Sequence, residues 1–229
     1  MTTRLLFIRH GATPMSAEDK FSGADNVHLS DEGRDQVHHL ATRLAGEKLL
    51  AVYSSPYDRA LETARIVTEL HGLIPIPIDG LREINHGHWE GLSRQEVETR
   101  FSEEYATWES DPFSFASEGG ESGISVLARA LPVIRDIVVK HKDETLAVVS
   151  HKATLRLIIS SLPGFDARGY RDRLDQAPAC LDIVDFKDPV RTRLMLFNDI
   201  SHYSDQPDRP HANLSKWWDS ASTRINQNK

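Results

Sequence analysis

The sequence lacks the features that define several classes of protein. Its 229 residues include a single cysteine, Cys180, which excludes an internal disulfide framework and a metal site built from several cysteines. No apolar run is long enough to span a bilayer, and the N-terminal stretch MTTRLLFIRHG does not have the pattern of a cleavable signal. We therefore expect a cytoplasmic protein that does not associate with a membrane.

Basic charge is also scarce. The chain has 27 lysines and arginines against 34 acidic residues, and its formal net charge is -7. Non-specific binding of nucleic acid needs a broad basic surface, so we expect no nucleic-acid partner. The sequence contains neither a Gly-x-x-x-x-Gly-Lys-Ser/Thr loop nor a Gly-x-Ser-x-Gly turn. Any anion must therefore bind in a local basic pocket of another kind.

Strand and helix patterns alternate along much of the chain. Apolar runs at Leu5–Ile8, Leu50–Tyr53 and Leu146–Val149 are typical of strands buried on both faces, and amphipathic helical patterns follow them. This alternation predicts an α/β fold, a three-layer α/β/α sandwich around a mostly parallel sheet. The prolines of IPIPID favour an edge strand, and the short connection between ACLDIVDF and TRLMLFND predicts an antiparallel edge strand.

We predict one domain with two additions. Residues 1–200 form the domain, and a helical lid insertion occupies about residues 92–122. Residues 201–229 form a polar C-terminal extension, which Trp217 and Trp218 are placed to attach to the body.

The lid insertion is rich in aromatic residues. Phe101, Tyr105 and Trp108 have the i, i+4, i+7 spacing of one helix, and packing against the body is the expected role of this stripe. Together with Phe113 and Phe115, the lid has the composition to cover a sugar phosphate, a phosphorylated acid or a larger ester.

Charged and polar side chains stand where the three buried strands end. The carboxyl ends of neighbouring parallel strands lie along one edge of a sheet, which is where open α/β sheets bind ligands. Helix N-termini at the same edge add backbone N–H donors. The sequence therefore predicts a phosphate-sized anion site, and the residues that would meet there are Arg9, His10, Arg59 and His151.

Phosphoryl transfer needs the residue types found at this edge. Arginine presents a planar fork that matches two phosphoryl oxygens. A neutral imidazole such as that of His10 is a competent nucleophile if its far nitrogen is held as a donor, and the carbonyl of Gly11 is placed to hold it. A leaving alkoxide needs a proton, for which Glu83 in LREINHGHWEG is the candidate.

A metal site is the alternative use of the histidines. His86, His88 and the pair His38–His39 are the possible ligands. The pair falls in the middle of an amphipathic helix, and the other two have no carboxylate cluster at a useful spacing. We therefore expect no metal and no other cofactor.

Five segments resemble the motifs of one enzyme family and occur in the family's order. FIRHGAT, SSPYDRALETA, LREINHGHWEGLS, GGES and AVVSH are similar to successive motifs of the histidine phosphatase superfamily, also called the phosphoglycerate mutase-like family. The resemblance covers residues 4 to about 160. It implies a metal-independent phosphoric monoester hydrolase of the phosphatase branch, acting on a small phosphorylated metabolite.

The resemblance also implies a role for each matching residue. His10 would be the nucleophile that becomes phosphohistidine, and Glu83 would protonate the leaving group and then activate water. The residues that would hold the phosphoryl oxygens are Arg9, Arg59 and His151, and those that would line the phosphate end are Thr13, Ser22 and Gly23.

Two positions depart from the family's pattern. Ser16 stands where many members carry asparagine, which leaves a phosphate contact from this position open. Lys152-Ala153 stands where a pair of small residues is usual. This lysine either adds charge to the mouth of the site or points to solvent.

Two other functions stay open on the sequence alone. A phosphoglycerate mutase would retain its phosphohistidine and usually has a longer basic insertion. The basic residues of 92–118 are only Arg94 and Arg100, outnumbered by acidic ones, which favours a phosphatase. An inactive binding member of the family is disfavoured, because all five core positions are intact.

The substrate is expected to be a small-molecule phosphate ester that the sequence does not name. Arg82, Lys152 and Arg156 are candidates for binding a second anionic group on it. The oligomeric state is open, with a homodimer as one expectation.

Overall fold

A six-stranded sheet forms the centre of the molecule. The structure is a computed structural model, and it describes residues 2–17, 20–24 and 26–204. The strands of this part lie side by side in the order β3-β2-β4-β1-β5-β6. In chain order they are β1 (Thr3–Arg9), β2 (Leu49–Ser54), β3 (Ile76–Pro77), β4 (Thr145–Ser150), β5 (Leu181–Phe186) and β6 (Thr192–Asp199).

The sheet combines a parallel and an antiparallel part. β4 lies between β1 and β2 and pairs in parallel with both, and the short β3 continues the parallel part as an edge strand. β5 runs antiparallel to both β1 and β6, and a short turn connects β5 to β6. The predicted edge position of the proline-containing segment and the predicted antiparallel hairpin are both confirmed.

Helices cover both faces of the sheet. α1 and α2 pack on the face that carries Leu6 and Ile8, whereas α5 and α6 pack on the face that carries Leu5 and Phe7. Successive side chains of a strand point to opposite faces, so the apolar run of β1 needs cover on both. The predicted α/β/α sandwich is confirmed. The helices of the described residues are α1 (Asp31–Leu44), α2 (Asp58–Glu69), α3 (Arg94–Arg100), α4 (Ser102–Ser110), α5 (Gly123–Lys140), α6 (Lys152–Ser161) and α7 (Tyr170–Arg173).

The lid insertion differs from the prediction at one point. Phe101, Tyr105 and Trp108 were predicted to share one helix, which is wrong, because Phe101 separates α3 from α4 and has φ -133° and ψ 50°. The acidic first turn of α4 favours a new helix start here. Tyr105 and Trp108 pack in one buried cluster with Phe21, so the expected packing role of the aromatic stripe holds.

The C-terminal extension is described only as far as Ser204. Trp217 and Trp218, which were expected to attach it to the body, lie outside the described residues. Within the described ranges, every helix is too short or too polar to cross a membrane.

Candidate active site

The carboxyl ends of β1, β2 and β4 bring four predicted site residues together. Arg9 ends β1 and His10 follows it, Arg59 lies in the first turn of α2, and His151 stands between β4 and α6. All four side chains are buried. The ring centroids of His10 and His151 are 5.1 Å apart. A cavity of about 190 Å³ opens onto Arg9, His10 and Arg59.

The imidazole of His10 is held in one tautomer. Its Nδ1 lies 2.7 Å from the carbonyl oxygen of Gly11, and because a carbonyl only accepts, Nδ1 carries the proton. Burial, together with the charges of Arg59 and Arg9, holds the pKa of His10 well below the ordinary value for histidine. The ring is therefore neutral near pH 7, and Nε2 keeps the lone pair that a nucleophile needs.

Close packing against α1 fixes the backbone next to His10. A Cβ at Gly11 would lie 2.4 Å from the carbonyl oxygen of Gly33, and a Cβ at Gly33 would lie 2.1 Å from that of Ala12. The backbone N–H of Ser30, the N-cap of α1, donates to the same Ala12 carbonyl at 2.9 Å. These approaches leave no space for side chains. Gly33 was not predicted, because a helical pattern gives no sign of a backbone contact.

Arg59 and His151 form a bonded pair. Nε of Arg59 donates to Nδ1 of His151 at 3.2 Å, so the imidazole proton is on Nε2, which lies 2.7 Å from Oγ of Ser55. Burial first, and then the charge of Arg59, holds the pKa of His151 well below its ordinary value. Ser55 was not predicted as a site residue. Its hydroxyl and the guanidinium of Arg59 together set the orientation of the neutral His151 ring.

Arg9 is supported from the segment that leads into β5. Its Nη1 donates to the carbonyl of Gln176 at 2.5 Å, and Nε2 of Gln176 donates to Oδ2 of Asp182 at 2.7 Å. Burial raises the pKa of Asp182 to about 7. Nε of Arg9 is buried and has no hydrogen-bond partner among the residues that the structure describes. An anion in the cavity would stabilise this incompletely bonded guanidinium.

Glu83 is held by the N-terminus of α6. Its Oε1 accepts from the backbone of Ile84 at 2.9 Å and from both the N–H and the hydroxyl of Thr154 at 3.0 Å. Its Oε2 accepts from the N–H of Ala153 at 3.0 Å, and the carboxylate also lines the cavity. With this one donor among the described residues, Oε2 retains a lone pair that can carry a proton.

Comparison with known proteins decides the family. Residues 5–200 match the model of the histidine phosphatase superfamily, branch 1. The chain belongs to the histidine phosphatase superfamily.

Two relatives and one solved structure show how close the likeness is. The chain is 32% identical over 163 residues to phosphoserine phosphatase 1 of Hydrogenobacter thermophilus, which covers 71% of this chain and 77% of that protein. It is 32% identical over 169 residues to glucosyl-3-phosphoglycerate phosphatase of Mycolicibacterium vanbaalenii, which covers 70% of this chain and 74% of the other. The structure of Bacillus stearothermophilus YhfR matches with a TM-score of 0.82 and 28% identity, over 88% of this chain and 100% of that one. The predicted family, fold and enzyme class, a phosphoric monoester hydrolase, are confirmed.

An unpredicted carboxylate organises the segment around Gly23 in this histidine phosphatase. Glu90 accepts hydrogen bonds from the backbone N–H groups of Gly23 at 2.8 Å, Ala24 at 3.0 Å and His86 at 2.8 Å. The Gly23 carbonyl in turn accepts from Nη2 of Arg59 at 2.8 Å. Glu90 therefore holds the segment that positions Arg59. Its place in GHWEGLS gives no sign that the side chain turns back to residues 23 and 24.

Replacing Glu90 by glutamine should weaken both the fold and the site. The amide presents an NH₂ group to backbone N–H donors, which leaves them unsatisfied and costs about 1–3 kcal/mol of unfolding free energy. We expect kcat/KM to fall about tenfold because Arg59 loses its fixed carbonyl partner. Urea unfolding and p-nitrophenyl phosphate hydrolysis measure the two effects. The exposed Glu69→Gln on α2 is the matched control, and equal behaviour of the two variants would contradict the assignment.

Three weaker candidates also reach the cavity. Thr13, Ser22 and Lys152 line it, and Gly23 contributes its carbonyl to Arg59. Ser16 lies in the short 3-10 helix Pro14–Ala17, and the position of its side chain is outside the described part of the structure.

Of the two other candidates for binding a second anionic group, Arg82 and Arg156, only Arg156 lies at the cavity. Nε of Arg82 pairs with Oδ1 of Asp79 at 3.0 Å, and Arg82 is not among the described residues that line the cavity. Arg156 does line it. Cavity residues that the motifs did not indicate include His86, Trp108, Tyr170 and Arg171.

The histidines considered as metal ligands are dispersed. His38 and His39 are exposed on α1, and Nε2 of His88 lies 3.2 Å from Glu104. Over residues 2–17, 20–24 and 26–204, no three His, Cys, Asp or Glu side chains form a group that could hold a metal ion.

Proposed function

We propose that this histidine phosphatase hydrolyses a small phosphorylated metabolite through a phosphohistidine formed on Nε2 of His10. The observation that carries the proposal is the state of His10, which is neutral, fixed by Gly11 and lines the same cavity as the buried arginines Arg9 and Arg59. These two fixed positive charges supply the stabilisation of phosphoryl oxygens that other phosphatases obtain from metal ions.

The proposed reaction has two balanced steps. In the first, Nε2 of His10 attacks phosphorus, the ester P–O bond breaks, and the leaving oxygen takes a proton from Glu83. In the second, Glu83 takes a proton from water, whose oxygen attacks phosphorus while the N–P bond breaks. Inorganic phosphate leaves, and His10 and Glu83 return to their starting states.

His151 supports this chemistry from beside the nucleophile. Its neutral ring accepts the hydrogen bond that orients Arg59 and lies beside the ring of His10. Both of its ring nitrogens are engaged, by Arg59 and by Ser55, and it is not among the described residues that line the cavity. We propose that it acts on the transferring phosphoryl group through the guanidinium of Arg59, while Thr13, Ser22 and the backbone around Gly23 line the phosphate end.

The size of the cavity favours a small ester. Its volume of about 190 Å³ is below the range of roughly 300–1,000 Å³ that is usual for sites that hold drug-sized ligands. The relatives named for phosphoserine and glucosyl-3-phosphoglycerate also act on phosphorylated metabolites. The free, buried Cys180 supports a cytoplasmic location, where thiols stay reduced.

The test is hydrolysis of p-nitrophenyl phosphate by the purified chain with and without EDTA. We expect turnover that EDTA does not change, and an acid-labile, base-stable phosphoenzyme after rapid quenching. Phosphate exchange between phosphoglycerates without net release of phosphate would instead identify a mutase. Absence of both turnover and phosphoenzyme would contradict the proposed function.

The lowered pKa of His10 predicts activity in mildly acidic solution. A histidine with a depressed pKa stays neutral until the pH falls through that lower value, so nucleophile protonation should not reduce kcat/KM between about pH 7.5 and pH 6. The measurement is kcat/KM against pH, corrected for the second ionisation of the phosphate ester. An acid limb centred near the ordinary histidine pKa after this correction would contradict the assignment.

A further inference from the structure

The cavity has a second basic region beyond the phosphate end. Lys152 and Arg156, one turn apart on α6, both line it. We infer that Lys152 and Arg156 form a second anion subsite that binds a carboxylate, so that the substrate is a phosphomonoester of a small carboxylic acid. This inference rests on the proposed function and names the class of substrate that the same cavity takes.

Arg156 carries a buried charge that the protein only partly compensates. Its side chain is 5% exposed, and Nη2 pairs with Oδ1 of Asp175 at 3.2 Å. Its Nε is buried and has no hydrogen-bond partner in the described part of the chain. Burial lowers the pKa of Arg156 to about 10. A buried guanidinium that pairs with one carboxylate is costly, and an anion bound in the adjoining cavity would offset that cost.

Lys152 is placed to complete the same subsite. It is the first residue of α6, directly after His151, and its side chain forms no hydrogen bond or ion pair with the described residues. Burial, followed by the charges of Arg156 and Arg9, lowers the pKa of Lys152 to about 6. The protein alone therefore disfavours the ammonium form near pH 7. An anion bound beside Lys152 would restore its proton and gain a charge-assisted hydrogen bond.

The residues that line the cavity favour an anionic substrate group, and the volume of the cavity favours a small one. Glu83 is the only carboxylate among the described residues that line it, and its oxygens are held by the N-terminus of α6. A cationic substrate group near Lys152 would therefore find no carboxylate other than Glu83 among the described residues that line the cavity. The limited volume leaves room for a carboxylate on a short carbon skeleton, and the planar fork of Arg156 matches that group.

The experiment compares ligands that differ only in the carboxylate. Binding of 3-phosphoglycerate against glycerol 3-phosphate, and of phosphoglycolate against ethyl phosphate, is measured by calorimetry with His10→Ala protein so that nothing is turned over. We expect the carboxylate of at least one pair to strengthen binding about tenfold or more, the scale of one charge-assisted hydrogen bond. Equal affinity within both pairs would overturn the inference.

Variants at position 152 distinguish binding at the proposed subsite from a general effect of the protein's positive charge. Adding Lys152→Met to the His10→Ala protein should reduce the preference for the carboxylate ligand at least about threefold, and Arg156 accounts for the preference that remains. The exposed Lys142, at the other end of β4, gives the matched control, and Lys142→Met should leave both affinities unchanged. A preference that survives Lys152→Met in full would overturn the role of Lys152. Lys152→Arg should retain the preference for the carboxylate ligand, which would not be expected if Lys152 had only a structural role.

The pH dependence gives an independent readout. The groups that face Lys152 are Arg156 on α6, Arg9 on β1, Arg94 on α3 and Asp175. The protonated fraction of Lys152 falls above about pH 6, so the preference for the carboxylate should weaken as the pH rises from about 6 to 8. With Lys152→Arg the preference should stay level across this range, and a parallel decline in both proteins would contradict the inference.

Hydrolysis of p-nitrophenyl phosphate keeps the two proposals distinguishable. Turnover by the wild-type chain together with equal affinity within both ligand pairs overturns the subsite and leaves the phosphatase. A carboxylate preference without any turnover supports the subsite and overturns the proposed reaction.

Discussion

Replacing His10 by alanine should abolish turnover of phosphate esters. The imidazole is the nucleophile of the proposed reaction, and the neighbouring His151 cannot take its place. Both ring nitrogens of His151 are engaged, one by Arg59 and the other by Ser55. We expect kcat to fall about 10⁴-fold or more, as for the removal of other catalytic nucleophiles, and the phosphoenzyme to disappear.

The measurement pairs steady-state hydrolysis with acid-quench trapping of the phosphoenzyme. His10 is buried, so circular dichroism and thermal unfolding must show that the variant is folded. His39→Ala, at an exposed position on α1, is the matched control and should behave as the wild type. Retention of more than about one tenth of the activity by folded His10→Ala would remove His10 from the mechanism.

Replacing Arg59 by methionine should produce the second-largest loss. The guanidinium orients His151 through Nε, bonds the Gly23 carbonyl through Nη2 and supplies one of the two fixed charges of the proposed phosphate site. We expect kcat/KM to fall about 10³-fold, in the range seen when a donor to a developing oxyanion is removed. The buried partners left without a donor should also cost about 2 kcal/mol of unfolding free energy.

Two further variants test whether geometry or charge is decisive at position 59. Arg59→Lys keeps the charge, but a single ammonium has no fork with which to hold both partners, so a loss of more than about tenfold in kcat/KM should remain. Arg65→Met removes an exposed arginine from the same helix and should leave kcat/KM and stability unchanged. Full activity of Arg59→Lys would show that only the charge matters.

The parts of the site that follow directly from strand ends could be predicted from the sequence. Arg9, His10 and His151 continue the apolar runs of β1 and β4, which pair in parallel from Arg4 with Thr145 to Arg9 with Ser150. Once two strands are parallel neighbours, residues at their carboxyl ends must lie close together. The sheet layers were predictable for the related reason that a strand without polar alternation needs cover on both faces.

The parts that depend on one loop turning back to another could not be predicted. Glu90 bonds residues 23 and 24, and Ser55 bonds His151, although no periodicity relates these positions. The tight approach of Gly33 to Ala12 is likewise invisible in a helical pattern. Hydrogen bonds of this kind follow the path of the backbone in space, whereas sequence patterns report only which face of an element is buried.

Side-chain direction was the remaining unknown at Lys152 and Arg82. Both were candidates for a second anionic group, and both stand next to motif residues. Position in the fold separates them: Lys152 begins α6 at the cavity, whereas Arg82 bonds Asp79 in its own turn. Local partners compete for exposed arginines, and a sequence does not show which partner wins.

The pairing of β1 with β4 joins segments from opposite parts of the chain, Leu5 beside Leu146. Bringing these two segments together costs loop-closure entropy. The contacts of the assembled sheet offset this cost, so we expect the pairing to form late in folding. We therefore expect a polypeptide in which β1 and β4 are not yet paired to be inactive. We expect the recovery of activity after dilution from denaturant to follow the pairing of β1 with β4 and not the earlier formation of individual helices.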